Sequence, residues 1–267
     1  VSSVLDLPVC IPSYRRAGRV SSEGLMRSFG FHRTVIYARE SERDEYAEHH
    51  ANVASVPDGV RGIGDTRQFI VEQMADEPAY VMIDDDISGF SYKPDLTAQG
   101  GVMRAEPEQV LQVLGELYDS GCIGAVVDYW SIADPYDGGP WRHWGFLCSN
   151  CYLLRSSLIG SARFDRLQLY EDMDFSLQLL QAGVPVRISS QLCIEASPGG
   201  RGADNGGCDE LREAEQAALE AGVSHQRIYW QRLQRLHPEF VQIQNNPGTR
   251  IYRVGVLWEE AYAAGRS

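Results

Sequence analysis

The chain has 267 residues, 43% of them hydrophobic, a formal net charge of −13 at pH 7 and a pI of about 4.9. That apolar content suffices for a full core and excludes wholesale disorder, and the acidic balance argues against tight non-specific binding to nucleic acid, which depends on neutralising phosphates. No apolar run approaches the roughly 18 residues of a membrane span, and the opening stretch lacks a basic segment and meets Pro8 too early for a signal peptide; a cytoplasmic protein with no membrane partner is expected.

The first half alternates apolar runs with charged, helix-compatible ones. Residues 7–14 read as a buried strand that breaks at Pro12. Residues 21–30 read as a short helix, with Ser at the N-cap and Gly at the C-cap. A second strand over 34–40, a charged helix over 41–51 and a short strand over 52–57 follow. Residues 62–77 place Ile63, Phe69, Ile70 and Met74 near helical spacing. Residues 79–87, AYVMIDDDI, form a buried strand ending in acid. This order predicts an α/β fold with a parallel sheet and helices on both faces, in which ligands bind outside the carboxyl ends of the strands. Those ends are polar: Ser13 to Arg16, Arg39-Glu40, and Asp84 to Asp86.

The second half is less regular. A helix is expected over 107–121, a strand over 122–130, a turn-rich aromatic loop over 133–145 and a strand-like run over 146–155. A helix over 171–183 opens with acid and ends with Gly. A strand region over 184–196 precedes a glycine-rich stretch at 197–207, a candidate lid or a plain surface loop. A helix over 225–240 carries Arg227, Arg232 and Arg235, and a hairpin-like segment spans 250–258. Of the six cysteines only Cys148 and Cys151 form a C-x-x-C. A zinc site needs a second pair, so the cysteines read as reduced and structural.

The acid run at 84–86 is the most informative segment. Three adjacent carboxylates repel one another and resist desolvation unless a cation compensates. On an extended backbone Asp84 and Asp86 share one side and Asp85 takes the other. Two carboxylates on one side suit Mg2+ or Mn2+; a solvated acidic turn fits the same residues. A second acidic site lies at Glu171-Asp172, at a helix start where the dipole favours the ionised form. There a carboxylate can act as a general base, and helix capping is the plainer reading.

Taken together, these segments resemble a GT-A fold glycosyltransferase over roughly residues 7–195. VCIPSYRRA resembles its opening strand and base-contacting loop, GIGDTRQFIVEQ its nucleotide-contacting helix start, IDDDI its metal-binding D-x-D segment, and YEDMDFSLQLLQAG the later helix whose acid is the base in inverting members. The resemblance implies a mostly parallel, Rossmann-like central sheet, a GT-A-like catalytic domain over 1–200 and a C-terminal extension over 201–267 packed on it. Two positions depart from the pattern: Arg39-Glu40 stands where an acid ends strand two, and Arg67-Gln68 where Arg-Asn is usual. IPSYRRA, YARESERDEY, IDDDI and WGFLCSNCYLLR ahead of YEDMDF are, more narrowly, similar to the TET/JBP-associated glycosyltransferases found mainly in phages, which implies a 5-hydroxymethylated pyrimidine in DNA as acceptor and the host cytoplasm as location.

The resemblance assigns roles. Asp86 and Asp84 hold Mn2+ or Mg2+, with His225 as a third ligand ahead of His237. Pro12, Tyr14, Arg15, Glu40, Asp65, Arg67, Asp84 and Asp85 contact a nucleotide-diphosphate sugar, a UDP-sugar first of all. Asp172, next to Glu171, takes the proton from the acceptor hydroxyl, with inversion. Trp141, Trp144 and Arg227 face the acceptor, with Tyr129 and Trp130 as further stacking candidates. A saccharide or protein acceptor is the nearest alternative. A nucleotidyltransferase, a phosphohydrolase and a non-enzymatic binding module are the rival classes. No signal for an oligomeric state is visible.

Overall fold

A computed structural model describes residues 2–128, 132, 135–147, 150–196, 225–244 and 253–267, with backbone alone at 2–3, 225–227, 244 and 253–254. After a short helix α1 (Ser2–Leu5), the chain runs β1 (Val9–Pro12), α2 (Ser21–Ser28), β2 (Thr34–Arg39), α3 (Arg43–Ala47), β3 (Val53–Val56), α4 (Gly62–Gln73) and β4 (Tyr80–Ile83). It continues through β5 (Ile87–Tyr92), β6 (Met103–Arg104), α5 (Pro107–Asp119), β7 (Ile123–Asp128), β8 (Trp141–Arg142), β9 (Cys151–Leu154), α6 (Ser156–Ile159), α7 (Glu171–Gln181) and β10 (Val186–Ala196). The last described elements are α8 (His225–Leu236), β11 (Val241–Gln244), β12 (Arg253–Val256) and α9 (Trp258–Ala264). No helix among the described residues is long and apolar enough to cross a membrane.

The central sheet has the order β3-β2-β1-β4-β9-β7-β10-β5-β6, with β8 paired to β10. Strands β1 to β4 pair in parallel. β9 lies between β4 and β7 and is antiparallel to both, while β10 returns parallel to β7. The fold is therefore the expected mixed α/β architecture with a mainly parallel sheet flanked by helices. β4 explains why its run is continuously apolar. Tyr80 and Met82 enter the core cluster on one face, Val81 and Ile83 the cluster on the other, as a strand buried on both faces requires.

Several boundaries differ from the sequence reading. The strand expected over 79–87 stops at Ile83, and the three aspartates form a turn into β5. β5 escaped notice because Ser88, Gly89 and Ser91 dilute its apolar alternation. A Cβ at Gly89 would come within 2.8 Å of Glu195 Oε2, so any larger residue there would displace that side chain. The charged helix over 41–51 is a 3-10 turn at Glu40–Glu42 followed by the short α3. Among the described residues, the strand-like run over 146–155 pairs at Cys151–Leu154. The C-terminal hairpin joins β12 to β11, upstream of the expected segment, and Trp258 opens a helix, not the end of a strand. α5 begins with a capping box between Glu106 and Gln109, a reciprocal pairing that fixes a helix start.

The C-terminal elements pack on α7. A Cβ at Gly183 or Gly265 would run into the facing backbone, so both positions require glycine for α9 to lie against the end of α7. The candidate lid at 197–207 and the residues Tyr129, Trp130, Cys148 and Cys208 lie outside the described residues.

Candidate active site

Three strand ends and two helix starts supply the site. Ser13 follows β1, Asp84 follows β4, and Arg39 ends β2. The parallel register places these ends along one edge of the sheet. The acid turn is held from behind by α2. Ser22 Oγ donates to the Asp84 carbonyl and accepts from the Ile87 amide at 3.0 Å. The Ser21 amide donates to the Asp85 carbonyl at 3.0 Å, and its hydroxyl to the Ile87 carbonyl at 2.9 Å. A serine was expected to cap α2, yet α2 shows no side-chain cap hydrogen bond; the Ser21 and Ser22 hydroxyls instead satisfy the buried backbone of the turn.

The three aspartates part ways. Asp85 turns inward, accepting from Ser13 Oγ at 2.5 Å and Arg16 Nη1 at 2.6 Å. Tyr46 Oη braces this corner, within 2.8 Å of Ser13 Oγ and accepting from the Arg16 amide at 3.0 Å. Burial pushes the Asp85 carboxyl up to about 6, with Arg16 acting against it. Asp84 accepts from Arg67 Nη2 at 2.7 Å, and its side chain stays 25% exposed. Asp86 is 24% exposed, 3.5 Å from Arg16 Nη1. Burial also raises the Asp84 carboxyl, and the nearby Asp86 charge adds to this while Arg67 opposes it.

The second acidic site reaches the first through Arg67. Its guanidinium, 3% exposed, gives Nη2 to Asp84 and Nη1 to Glu171 Oε1 at 2.8 Å, and lies over the Tyr152 ring at 5.6 Å. Glu171 is buried and Asp172, one position on, is partly open. Burial pushes both carboxyls upward, Arg67 pulls both down, and the Met173 amide donates to Asp172 Oδ1 at 2.7 Å. The helix dipole favours the ionised form of this pair, and desolvation works against it.

Close packing sets this reach. Gly64, one turn ahead of Arg67, sits against the loop before α7: a Cβ would lie 2.9 Å from the carbonyl oxygens of Phe164 and Leu167 and 3.2 Å from Glu171 Cβ. Beneath, Phe164 stacks on Phe175 with centroids 3.8 Å apart. Arg15 and Tyr170 are the non-glycine residues with positive φ among the described ones, at 55° and 62°. Both flank the site, where strained backbone is often kept for function.

The other expected residues fall as follows. Pro12 is buried at the end of β1. Tyr14 lies under two guanidinium groups, Arg39 at 4.0 Å and Arg15 at 4.8 Å. Glu40 is exposed, whereas Glu42, which the sequence reading passed over, accepts from the Arg15 amide at 3.0 Å. Asp65 accepts from the Arg61 amide at 3.4 Å, at the start of α4. Of the residues read as donor contacts, Asp85 directs its carboxylate, and Arg67 both terminal guanidinium nitrogens, at other protein groups. Trp141 lies in β8 under Arg187, at 5.7 Å, and Trp144 is 41% exposed. His225 and Arg227 are in α8 by backbone, and their side chains lie outside the described residues. His237 is taken by Asp174 Oδ1 at 2.6 Å, away from the acid turn. Cys151 is buried in β9, with its thiol pushed up to about 12.

Among the described residues no group of three or more His, Cys, Asp or Glu gathers to hold a metal. The half-open Asp84 and Asp86 are the oxygen donors at the strand end. Two carboxylates suit a hard cation that keeps waters and takes substrate phosphate oxygens, rather than a closed protein cage.

The family model described as "TET-Associated Glycosyltransferase" matches residues 7–193. A beta-glucosyl-HMC-alpha-glucosyl-transferase of Enterobacteria phage T6 is 26% identical over 215 residues, covering 76% of this chain and 74% of the relative. The protein of the same name from Enterobacteria phage T2 is 25% identical, with the same coverage. Among solved structures, a CMP:2-keto-3-deoxy-manno-octonic acid synthetase complexed with CTP aligns over 82% of this chain and 100% of its own, at 12% identity and a TM-score of 0.41.

Proposed function

The chain belongs to the TET-associated glycosyltransferase family, and on that premise we propose that it moves a sugar from a nucleotide-diphosphate sugar, a UDP-sugar first of all, to the hydroxyl of a 5-hydroxymethylpyrimidine in phage DNA, in the cytoplasm of the infected host. The observation that carries this reading is Arg67. One buried guanidinium ties the acid turn to the start of α7, so a donor-side and an acceptor-side carboxylate belong to one assembly. A saccharide or protein acceptor would present its hydroxyl to the same base; the relatives' names, which contain beta-glucosyl-HMC, favour a modified base in DNA, with the hydroxyl on the base itself or on a sugar it already carries.

Asp172, the more open acid of its pair, takes the acceptor proton. The freed oxygen attacks the anomeric carbon, the bond from that carbon to the diphosphate oxygen breaks, and the nucleoside diphosphate leaves. Asp86 and Asp84 would hold Mn2+ or Mg2+, which when bound offsets the charge growing on that diphosphate. Tyr14, Arg15, Pro12 and Glu40 at the strand ends, with Asp65 at the start of α4, contact the nucleotide. Asp85 and Arg67 act on the donor indirectly, by fixing the loop after β1 and the acid turn. Trp144, Trp141 and Arg227 remain candidates for the acceptor side, and His225 for a third metal ligand.

Single displacement inverts the anomeric centre. The relatives' names describe alpha-glucosyl transfer, and from an α-linked donor an α-linked product means retention, which supports a second route at the same site. The proton coupling of the product's anomeric signal separates the two: a β-linkage from an α-linked donor supports Asp172 as base, an α-linkage the retaining route. Donor use is tested by thermal shift with a panel of sugar nucleotides, with and without Mn2+. A true donor at 100 times its Kd stabilises the fold by about 2.7 kcal/mol, and the shift should shrink on adding EDTA. No shift with any sugar nucleotide would count for a phosphohydrolase or a plain binding module; a shift with nucleoside triphosphates alone would count for a nucleotidyltransferase.

A further inference from the structure

α8 meets the segment that carries the catalytic pair at several points. Tyr229 Oη donates to Gln168 Oε1 at 3.3 Å. Trp230 stacks on Tyr170, with ring centroids 3.9 Å apart and planes 24° from parallel. Just past the helix, His237 Nε2 pairs with Asp174 Oδ1 at 2.6 Å, and its Nδ1 lies 2.8 Å from Gln181 Nε2. His237 and Asp174 are 2% and 0% exposed. Leu233 is buried between these contacts. The helix is thus fastened along residues 168–181 by contacts on both sides of Asp172.

Tyr170 is the unusual member. It occupies the N-cap position of α7 at φ 62°, with no side-chain cap hydrogen bond, in a left-handed conformation that glycine or asparagine adopts at lower cost. An aromatic ring is kept there, two residues before Asp172, with a second aromatic ring against it, and both side chains remain partly open.

We infer that Tyr170 and Trp230 form the platform on which the acceptor's pyrimidine ring stacks, with the Asp174–His237 pair fastening α8 behind it. This rests on the reading of hydroxymethylated DNA as acceptor. The reactive hydroxyl of such a base sits one carbon from a flat ring, so stacking the ring beside Asp172 fixes the hydroxyl's approach. The base leaves the duplex to reach the platform, as enzymes that modify bases require. His237 and Asp174 are positioning residues; of the stacked pair, Trp230 offers its outer face to the acceptor and Tyr170 backs it.

The test compares wild type with Trp230→Ala, Trp230→Leu and Trp230→Phe on an oligonucleotide containing hydroxymethylcytosine and on a free glycoside, measuring acceptor KM, kcat, donor Kd and Tm. Loss of base stacking should raise the oligonucleotide KM about 10-fold to 100-fold, with donor Kd unchanged and Trp230→Phe restoring most of the loss. If Trp230→Ala does not fold, Trp230→Leu, which keeps an apolar side chain, is read the same way. An oligonucleotide KM within about twofold of wild type, or a loss of donor affinity that Phe does not restore, overturns the platform while leaving the DNA reading intact. Wild-type transfer to the glycoside alone overturns the DNA reading, and the pyrimidine occupant with it.

Discussion

Arg67 supplies the positive charge that two neighbouring carboxylates need. Asp84 and Glu171 each take one of its terminal nitrogens, and its field also lowers Asp172. Removing one partner of a buried pair costs about 3–5 kcal/mol because the other charge stays desolvated. Lysine is a poor substitute: its single ammonium cannot span two carboxylates as a planar fork does. The same burial sets a pH dependence. A base works deprotonated, and burial raises the Asp172 carboxyl above its ordinary 3.8. Activity should therefore be lost, as pH falls, at a pH above that value, and the acid limb of kcat/KM against pH measures it. A limb at or below 3.8 would remove Asp172 from the base role. Stability has the opposite sign. The folded state keeps the Asp85 proton up to about 6 where the unfolded chain has already lost it, so this group's contribution falls as pH rises from 3.8 to about 6 and is level above. At this scale the acids could be read from the sequence as a set, but their division of labour could not. Asp85 is drawn inward by Ser13 and Arg16, partners in a different strand-end loop, and no local pattern encodes that pairing.

α4 and α7 set the distance between the acid sites, and Gly64 sets how closely they approach. An added methyl there meets two carbonyl oxygens at 2.9 Å, and overpacking of this kind typically costs about 1–3 kcal/mol. Gly64→Ala should lose stability in that range in urea denaturation, and its kcat should fall because the loop before α7, and with it Glu171 at the helix start, is pushed away from Arg67. Unchanged stability and kcat would mean the loop yields freely. The helices themselves were plain in the sequence, since apolar spacing marks α4, α5 and α7 within a few residues. Two things were hidden. The hydroxyls of Ser21 and Ser22 serve the acid turn rather than their own helix, and a cap and a tertiary hydrogen bond have the same sequence signature. His237, weighed as a metal ligand, pairs with Asp174 instead, because the chain returns from α8 onto α7.

The molecule as a whole places the polar ends of its parallel strands β1, β2 and β4 at one edge and interrupts the sheet beside them with the antiparallel β9. The parallel half was legible from alternating strands and helices. The interruption was not, because CYLL is apolar throughout and carries no mark of direction. It matters to the site: the Asp84 amide donates to the Asn150 carbonyl just ahead of β9, at 2.9 Å, so the acid turn is pinned from both neighbouring strands. The overall charge of −13 gives no help in holding DNA, so affinity for such an acceptor must come from local contacts. The central claim, one transfer site built from two acid sites and aimed at a modified base, is tested most directly by mass spectrometry of hydroxymethylcytosine DNA after incubation with the sugar nucleotide that stabilises the fold, for wild type and Asp172→Asn. The account predicts a gain of one hexose or N-acetylhexosamine per modified base with wild type and none with Asp172→Asn, which should still bind donor. Equal gain with both proteins, or no gain on DNA while a saccharide acceptor is modified, would contradict it.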